Sequence, residues 1–245
     1  MNERSRLRTP EYPLSRQEVN VHSSSTTALP GLPRRETILR AALELFVERG
    51  FHGASVPAIA ERAGIAAGTM YRYFPSKEAL VNELYRALKQ SLLAALLADF
   101  PFDAPPRGQF RSFFFRLWGF ARNAPDAFTF LEHHHHADYL DAESQAMERA
   151  SLLPFVELLE RSRALRITKA IAAPALMAMV WGAFSGLLKA GRLGHLELSD
   201  DILASAEGCA WDAIAATPET QSTTTTKPAK ATKTTKTIAT PRRRK

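Results

Sequence analysis

Residues 34–84 read RRETILRAALELFVERGFHGASVPAIAERAGIAAGTMYRYFPSKEALVNEL, and this stretch decides the fold. Ile38, Ala41, Ala42, Leu45 and Phe46 fall on the i, i+3, i+4, i+7, i+8 stripe of an amphipathic helix. Gly50 is placed to end that helix, with Phe51 folding back onto its last turn. Ser55 predicts an N-cap for a second helix whose buried stripe is Val56, Ile59, Ala60 and Ala63. Pro57 falls in the first turn, where a missing N–H matters least, and Gly64 ends the helix. A short turn leads to a third helix, roughly Ala67 to Phe74, stopped by Pro75; that is the spacing of a helix-turn-helix. Ser76 caps a fourth helix.

The third helix carries the functional reading. Met70 and Phe74 lie one turn apart and can anchor it to the first two helices. The opposite side shows Ala67, Gly68, Thr69, Tyr71 and Arg72, an odd surface for a helix that is only solvated. Small residues at its start permit close approach, while the Thr69 hydroxyl, the Arg72 fork and the phenols of Tyr71 and Tyr73 can reach bases and phosphates in a major groove. Lys77 in the first turn of the fourth helix opposes the helix dipole, and a bound phosphate there would give it a purpose.

The segments Leu43–Phe51, Ala58–Ile65 and Gly68–Leu80 make the stretch resemble the N-terminal DNA-binding domain of TetR-family transcriptional regulators. The resemblance implies an all-α chain of about nine helices, with an N-terminal three-helix helix-turn-helix domain joined by a long helix to a larger helical ligand-binding and dimerisation domain. Position by position, it implies phosphate contacts from Ser55, Tyr71, Tyr73 and Lys77 and groove contacts from Ala67, Gly68, Thr69 and Arg72. Ala66 stands where the family usually has a Ser or Thr cap, which costs about 1 kcal/mol. Pro57 and Ala67 replace residues that are often basic, leaving fewer side-chain contacts.

The formal charge of +7 over 245 residues looks like a nucleic-acid footprint, but its distribution says otherwise. Residues 34–216 hold 20 basic and 21 acidic side chains, so the excess belongs to the tail. The single cysteine, Cys209, excludes an intrachain disulfide and suits a cytoplasmic location. No apolar leader is evident at the N-terminus. Residues 170–188 are uncharged for 19 positions, enough for a membrane span, but Pro174, Gly182, Ser185 and Gly186 favour a helix buried partly by a partner subunit.

Four segments follow: a disordered arm at 1–33, the DNA-binding domain at 34–80, an effector-binding and dimerisation domain at 81–216, and a disordered basic tail at 217–245. Arg4, Arg6, Arg8 and Arg16 of the arm either reach a minor groove or belong to a plain extension. The tail either attracts DNA without regard to sequence or solubilises the protein. Leu80, Val81, Leu84, Leu88, Leu92 and Leu96 carry the fourth helix to about Asp99, making one rod shared by both domains. Between residues 100 and 130 lie nine of the fourteen Phe, so the next helices either pack an ordinary core or line an apolar cavity. In TetR relatives this region helps to enclose the effector pocket. The candidate lining is Phe113, Phe114, Leu117, Trp118, Phe128, Leu131, His135, Tyr139 and Trp181.

Pro125 opens a helix that runs through FLEHHHHADYLD, a segment similar to one in a subset of TetR regulators where a His–Tyr helix faces the ligand; Asp138 replaces a more usual Pro. Only His133 and His136 of its histidine run share a face, a weak basis for metal binding, and no metal or cofactor is expected. The histidines either line a pocket or are solvated. In the helix over 142–163, Pro154 predicts a kink, or a break with Ser151 as a new cap, and Leu152, Leu153, Val156 and Leu159 are its apolar residues. Helices at about 174–190 and 199–216 are apolar over too wide a perimeter for one small body. Two-fold pairing through Met177, Val180, Phe184, Leu188, Ile202, Ala206 and Ala210 would bury it in a four-helix bundle, as in TetR dimers.

The predicted function is a homodimeric DNA-binding regulator, a repressor that reads a palindrome in double-stranded DNA and is released by a small apolar or aromatic effector, with no membrane role. The alternatives are a ligand-binding dimer that Ala66 and Pro57 have deprived of sequence-specific DNA binding, and an enzyme built on Glu132 to Tyr139. The latter lacks a nucleophile elbow, a phosphate loop and a spaced metal-ligand set.

Overall fold

The computed structural model describes residues 34–134 and 138–217. The predicted arm, nearly all of the predicted tail, His135 and His136 lie outside them. Among the described residues the chain forms nine helices: α1 (Arg34–Gly53), α2 (Val56–Arg62), α3 (Ala67–Met70), α4 (Lys77–Leu97), α5 (Pro106–Asn123), α6 (Pro125–His134), α7 (Ala142–Ala164), α8 (Ala173–Arg192) and α9 (Asp200–Ile214). The all-α expectation holds; the only extended pairing described is a bridge between Thr168 and Ala215.

The first three helices close around Ile38, Leu45, Phe46, Ile59, Met70 and Phe74, none more than 1% exposed. Gly50 leaves the helical region at φ 69°, ψ 175°, and a last turn follows it to Gly53. Ser55 accepts the Ala58 amide at 3.3 Å and Ser76 that of Ala79 at 3.1 Å, so both expected caps are made. α4 then leaves the small bundle and enters the body, with Leu80, Val81, Leu84, Tyr85, Leu92 and Leu96 all buried. It ends before Asp99, whose φ of 50° turns the chain toward α5.

The structure decides details of three helices. α3 is regular for only four residues and then tightens, Arg72 N–H donating to the Thr69 carbonyl at 3.2 Å and Tyr73 N–H to that of Met70 at 2.9 Å. Ala66 provides no side-chain cap, Gly68 weakens the interior, and Pro75 disfavours a helical Phe74. α6 is described as far as His134, and Tyr139 lies in a turn rather than on a helix. α7 is neither broken at Pro154 nor recapped: Ser151 donates back to the Glu148 carbonyl at 2.7 Å from inside the helix. Its buried residues are Ser144, Ser151 and Ser162, while Leu152 and Leu153 are exposed.

The body core is aromatic. Phe114 meets Phe184 edge-on at 5.3 Å between ring centroids, Phe128 stacks on Trp181 at 5.6 Å, and Phe113 lies 4.8 Å from Phe155. Val180, Phe184, Leu188 and Ala210 are buried within this one chain, which corrects their assignment to the dimer interface. The outward face of α8 and α9 is instead Met179, Gly182, Ala183, Gly186, Ile202 and Cys209, with Met177 and Ala206 half-buried. Two apolar faces share each helix; the chain's own core takes the bulky one, because large side chains gain more from burial. α8 is also the one helix among the described residues long and apolar enough to cross a membrane.

Candidate nucleic-acid interface

α2 and α3 form the expected pair, fixed from below and open above. Arg62 of α2 braces it to α1, donating to Glu44 at 3.1 Å and to both Glu48 oxygens at 3.0 and 3.1 Å. The hydrogen bond from Arg62 holds the Glu48 carboxyl below its ordinary range. Met70 and Phe74 pin the inner side of α3, at 0% and 1% exposure. On the outer side Tyr71 is 54% exposed, Gly68 and Arg72 are exposed, and Ala67, Thr69 and Tyr73 are half-buried. The Arg72 guanidinium pairs with nothing among the described residues, whereas those of Arg35, Arg62 and Arg86 are all taken by carboxylates. Ser55 is exposed at the start of α2.

Lys77 stands apart from this set. Its ammonium donates to the carbonyls of Phe51 at 2.9 Å and Ala54 at 3.3 Å, and sits 4.2 Å from the Phe51 ring centroid. A cation there meets the carbonyl end of α1, where the dipole favours it, so Lys77 at the start of α4 has a structural reason without a phosphate.

The head is bonded to the body beside Lys77. Phe51 stacks on Tyr139 at 4.0 Å, and Phe46 meets Phe130 at 6.0 Å. Tyr139 therefore faces α1, a correction to its place in the expected pocket, and burial pushes its phenol up to about 12. Asn82, missed in the sequence, makes the joint. Its Nδ2 donates to the carbonyls of Glu78 and Tyr139, both at 2.8 Å, and its Oδ1 accepts the Asp141 amide at 2.8 Å. Asp141 in turn caps α7 through Ser144 N–H at 2.8 Å and accepts from Arg86 at 3.0 Å. The available signal was a polar residue in the apolar run of α4, between Val81 and Leu84. Asn82→Ala strands two partly buried backbone groups outside α4, so unfolding free energy in urea should fall by about 1–2 kcal/mol with an unchanged slope.

The expected effector set lies within the aromatic core of the body. Phe128 and Trp181 stack on each other, Phe114 packs on Phe184 and Phe113 on Phe155, Leu117 and Leu131 are buried, Trp118 is half-buried, and His135 lies outside the described residues. Cavities of about 230 and 210 Å³ lie elsewhere. The first is bounded by Phe102, Gln109, Leu158, Arg161 and Ser162; the second opens on the α8–α9 face beside Ala183 and Cys209 and touches only Phe114 of the expected set. Among the described residues no three His, Cys, Asp or Glu converge as a metal site.

Comparison with known proteins fits this geometry. Residues 38–84 match the family described as bacterial regulatory proteins, tetR family, and residues 83–216 match the tetracyclin repressor-like C-terminal domain. The chain belongs to the TetR family of regulators, which bind DNA and are not enzymes. It is 31% identical over 130 residues to the HTH-type transcriptional repressor KstR2 of Mycobacterium tuberculosis, covering 53% of this chain and 60% of that one. It is 45% identical over 62 residues to the HTH-type transcriptional regulator UidR of Escherichia coli, covering 25% of this chain and 32% of that one. The matched region thus spans less than two thirds of either relative. A TetR family transcription regulator from Marinobacter aquaeolei has the same fold, with a TM-score of 0.68 at 23% identity over 75% of this chain and 96% of that one.

Proposed function

We propose that the chain is a homodimeric repressor that reads a palindromic operator through the outer side of α3 and the turn after it. Ala67, Gly68, Thr69 and Arg72 approach the base edges, and Ser55, Tyr71 and Tyr73 the phosphates. The observation that carries this reading is the exposed, unpaired Arg72 beside Tyr71 on a helix pinned from behind by Met70 and Phe74. Lys77 contributes by holding α1 against α4, its remaining donor capacity free for a phosphate. The names of KstR2 and UidR support regulation of transcription, the former as repression, in the cytoplasm where an operator lies.

Dimerisation runs through the outward face of α8 and α9, and it sets the two α3 helices about 34 Å apart. A small apolar or aromatic effector, bound in the helical body, shifts the rod formed by α4 and the joint at Asn82, and so favours the state that releases DNA. Mobility shift of the duplex flanking the protein's own gene, competed by scrambled duplex, tests the reading. Retention that survives the competitor, and survives deletion of residues 217–245, is the expected result. Retention lost equally to both duplexes, or lost with the tail, would mean that α3 does not read sequence.

A further inference from the structure

The recognition element is short to stand alone. It has four helical residues and no side chain capping its start at Ala66. Isolated helical turns of this length do not persist in water, so something must hold the Tyr71–Phe74 segment in place. Phe74 holds it from below. From the side it is reached by Arg35, in the first turn of α1.

Arg35 contacts three residues, two in the turn after α3 and one in α4. Its Nη1 donates to the Tyr73 carbonyl at 3.2 Å, its guanidinium carbon lies 4.6 Å from the Phe74 ring centroid, and its Nε donates to Glu83 Oε1 at 2.6 Å. The second Glu83 oxygen accepts from Nη2, completing a two-pronged pair with α4. The hydrogen bond that Arg35 donates to Glu83 also raises the pKa of the guanidinium. A planar fork is needed here: one edge engages the carboxylate while another N–H reaches the carbonyl and the flat face rests on a ring. An ammonium has no planar edge to pair both carboxylate oxygens side by side while a flat face rests on the ring.

We infer that Arg35 is a positioning residue for DNA reading: it sets the end of the recognition turn, carrying Tyr71 and Arg72, against α1 and α4, and does not itself bind phosphate. This rests on the proposed reading of DNA by α3. The bland alternative is that a basic residue near the start of a DNA-binding domain is one more phosphate contact. The two differ in what they do to salt dependence, because each phosphate contact adds about 0.9 to the slope of log affinity against log salt.

The test uses the full-length protein and the duplex flanking its own gene, with scrambled duplex as the non-specific probe. Arg35→Ala, Arg35→Lys and Glu83→Gln are each titrated over a series of salt concentrations, with melting followed by circular dichroism. For a positioning residue, Arg35→Ala lowers specific affinity by about tenfold, leaves non-specific affinity and the salt slope unchanged, and Arg35→Lys does not restore it. Glu83→Gln then shows a loss of the same kind, because it releases the fork. A smaller salt slope in Arg35→Ala, equal loss on both duplexes, rescue by Lys, or tighter binding in Glu83→Gln would each overturn the inference in favour of a phosphate contact. Unchanged specific affinity in a folded Arg35→Ala would overturn it outright. A wild-type protein that does not distinguish the two duplexes would instead refute the reading on which the inference stands.

Discussion

Arg72→Ala is expected to remove nearly all sequence-specific DNA binding. A side chain reaching a base edge is worth about 1–3 kcal/mol, and the dimer presents two copies, so the loss is at least about thirtyfold. Tyr71→Ala, removing a phosphate contact, should weaken specific and scrambled duplexes alike. Tyr71 and Arg72 are exposed and, among the described residues, make no side-chain hydrogen bond or ion pair, so melting should stay within about 0.5 kcal/mol of the parent. Fluorescence anisotropy with both duplexes reads this directly. A folded Arg72→Ala protein with parental specificity would place base reading elsewhere on the surface.

Phe184→Ala and Ala183→Glu, neighbours in sequence, should do opposite things. Phe184 is 1% exposed and touches the rings of Phe114 and Phe128, so its loss opens a cavity that costs about 3–5 kcal/mol, with Tm falling at any protein concentration. Ala183 is exposed on the α8–α9 face. A carboxylate there meets its two-fold copy in an apolar contact, so the dimer should split into folded protomers while secondary structure is kept. Sedimentation velocity with denaturant unfolding separates the two. A dimer unaffected by Ala183→Glu would move the interface off this face.

The helix-turn-helix was legible in the sequence because each of its parts has a local cause. Gly50 ends a helix, Ser55 and Ser76 cap two others, and Met70 and Phe74 recur at the helical period. The body was legible in element order but not in orientation. α8 is apolar on two sides, and nothing local says that Val180 and Phe184 face in while Met179 and Ala183 face out; that choice belongs to packing. The aromatic wealth of α5 and α6 left core packing and a cavity both open, because rings can fill space as readily as enclose it; which ring meets which, as Phe128 meets Trp181 and Phe184, belongs to packing. Long-range polar partners were not legible at all. Asn82 answers carbonyl and amide groups about sixty residues away, and Glu207, 1% exposed on α9, is paired with Arg107 at the start of α5. Pairing of this kind depends on where helices cross, which no periodicity encodes.

Hydroxyl-radical footprinting of the full-length protein on the duplex flanking its own gene tests the central claim most directly. Two reading elements on one two-fold particle predict a pair of protected patches on one side of the duplex, centred about one helical turn apart. Both patches should vanish together in Arg72→Ala. A single patch, or uniform protection that persists in Arg72→Ala, would contradict dimeric reading through α3.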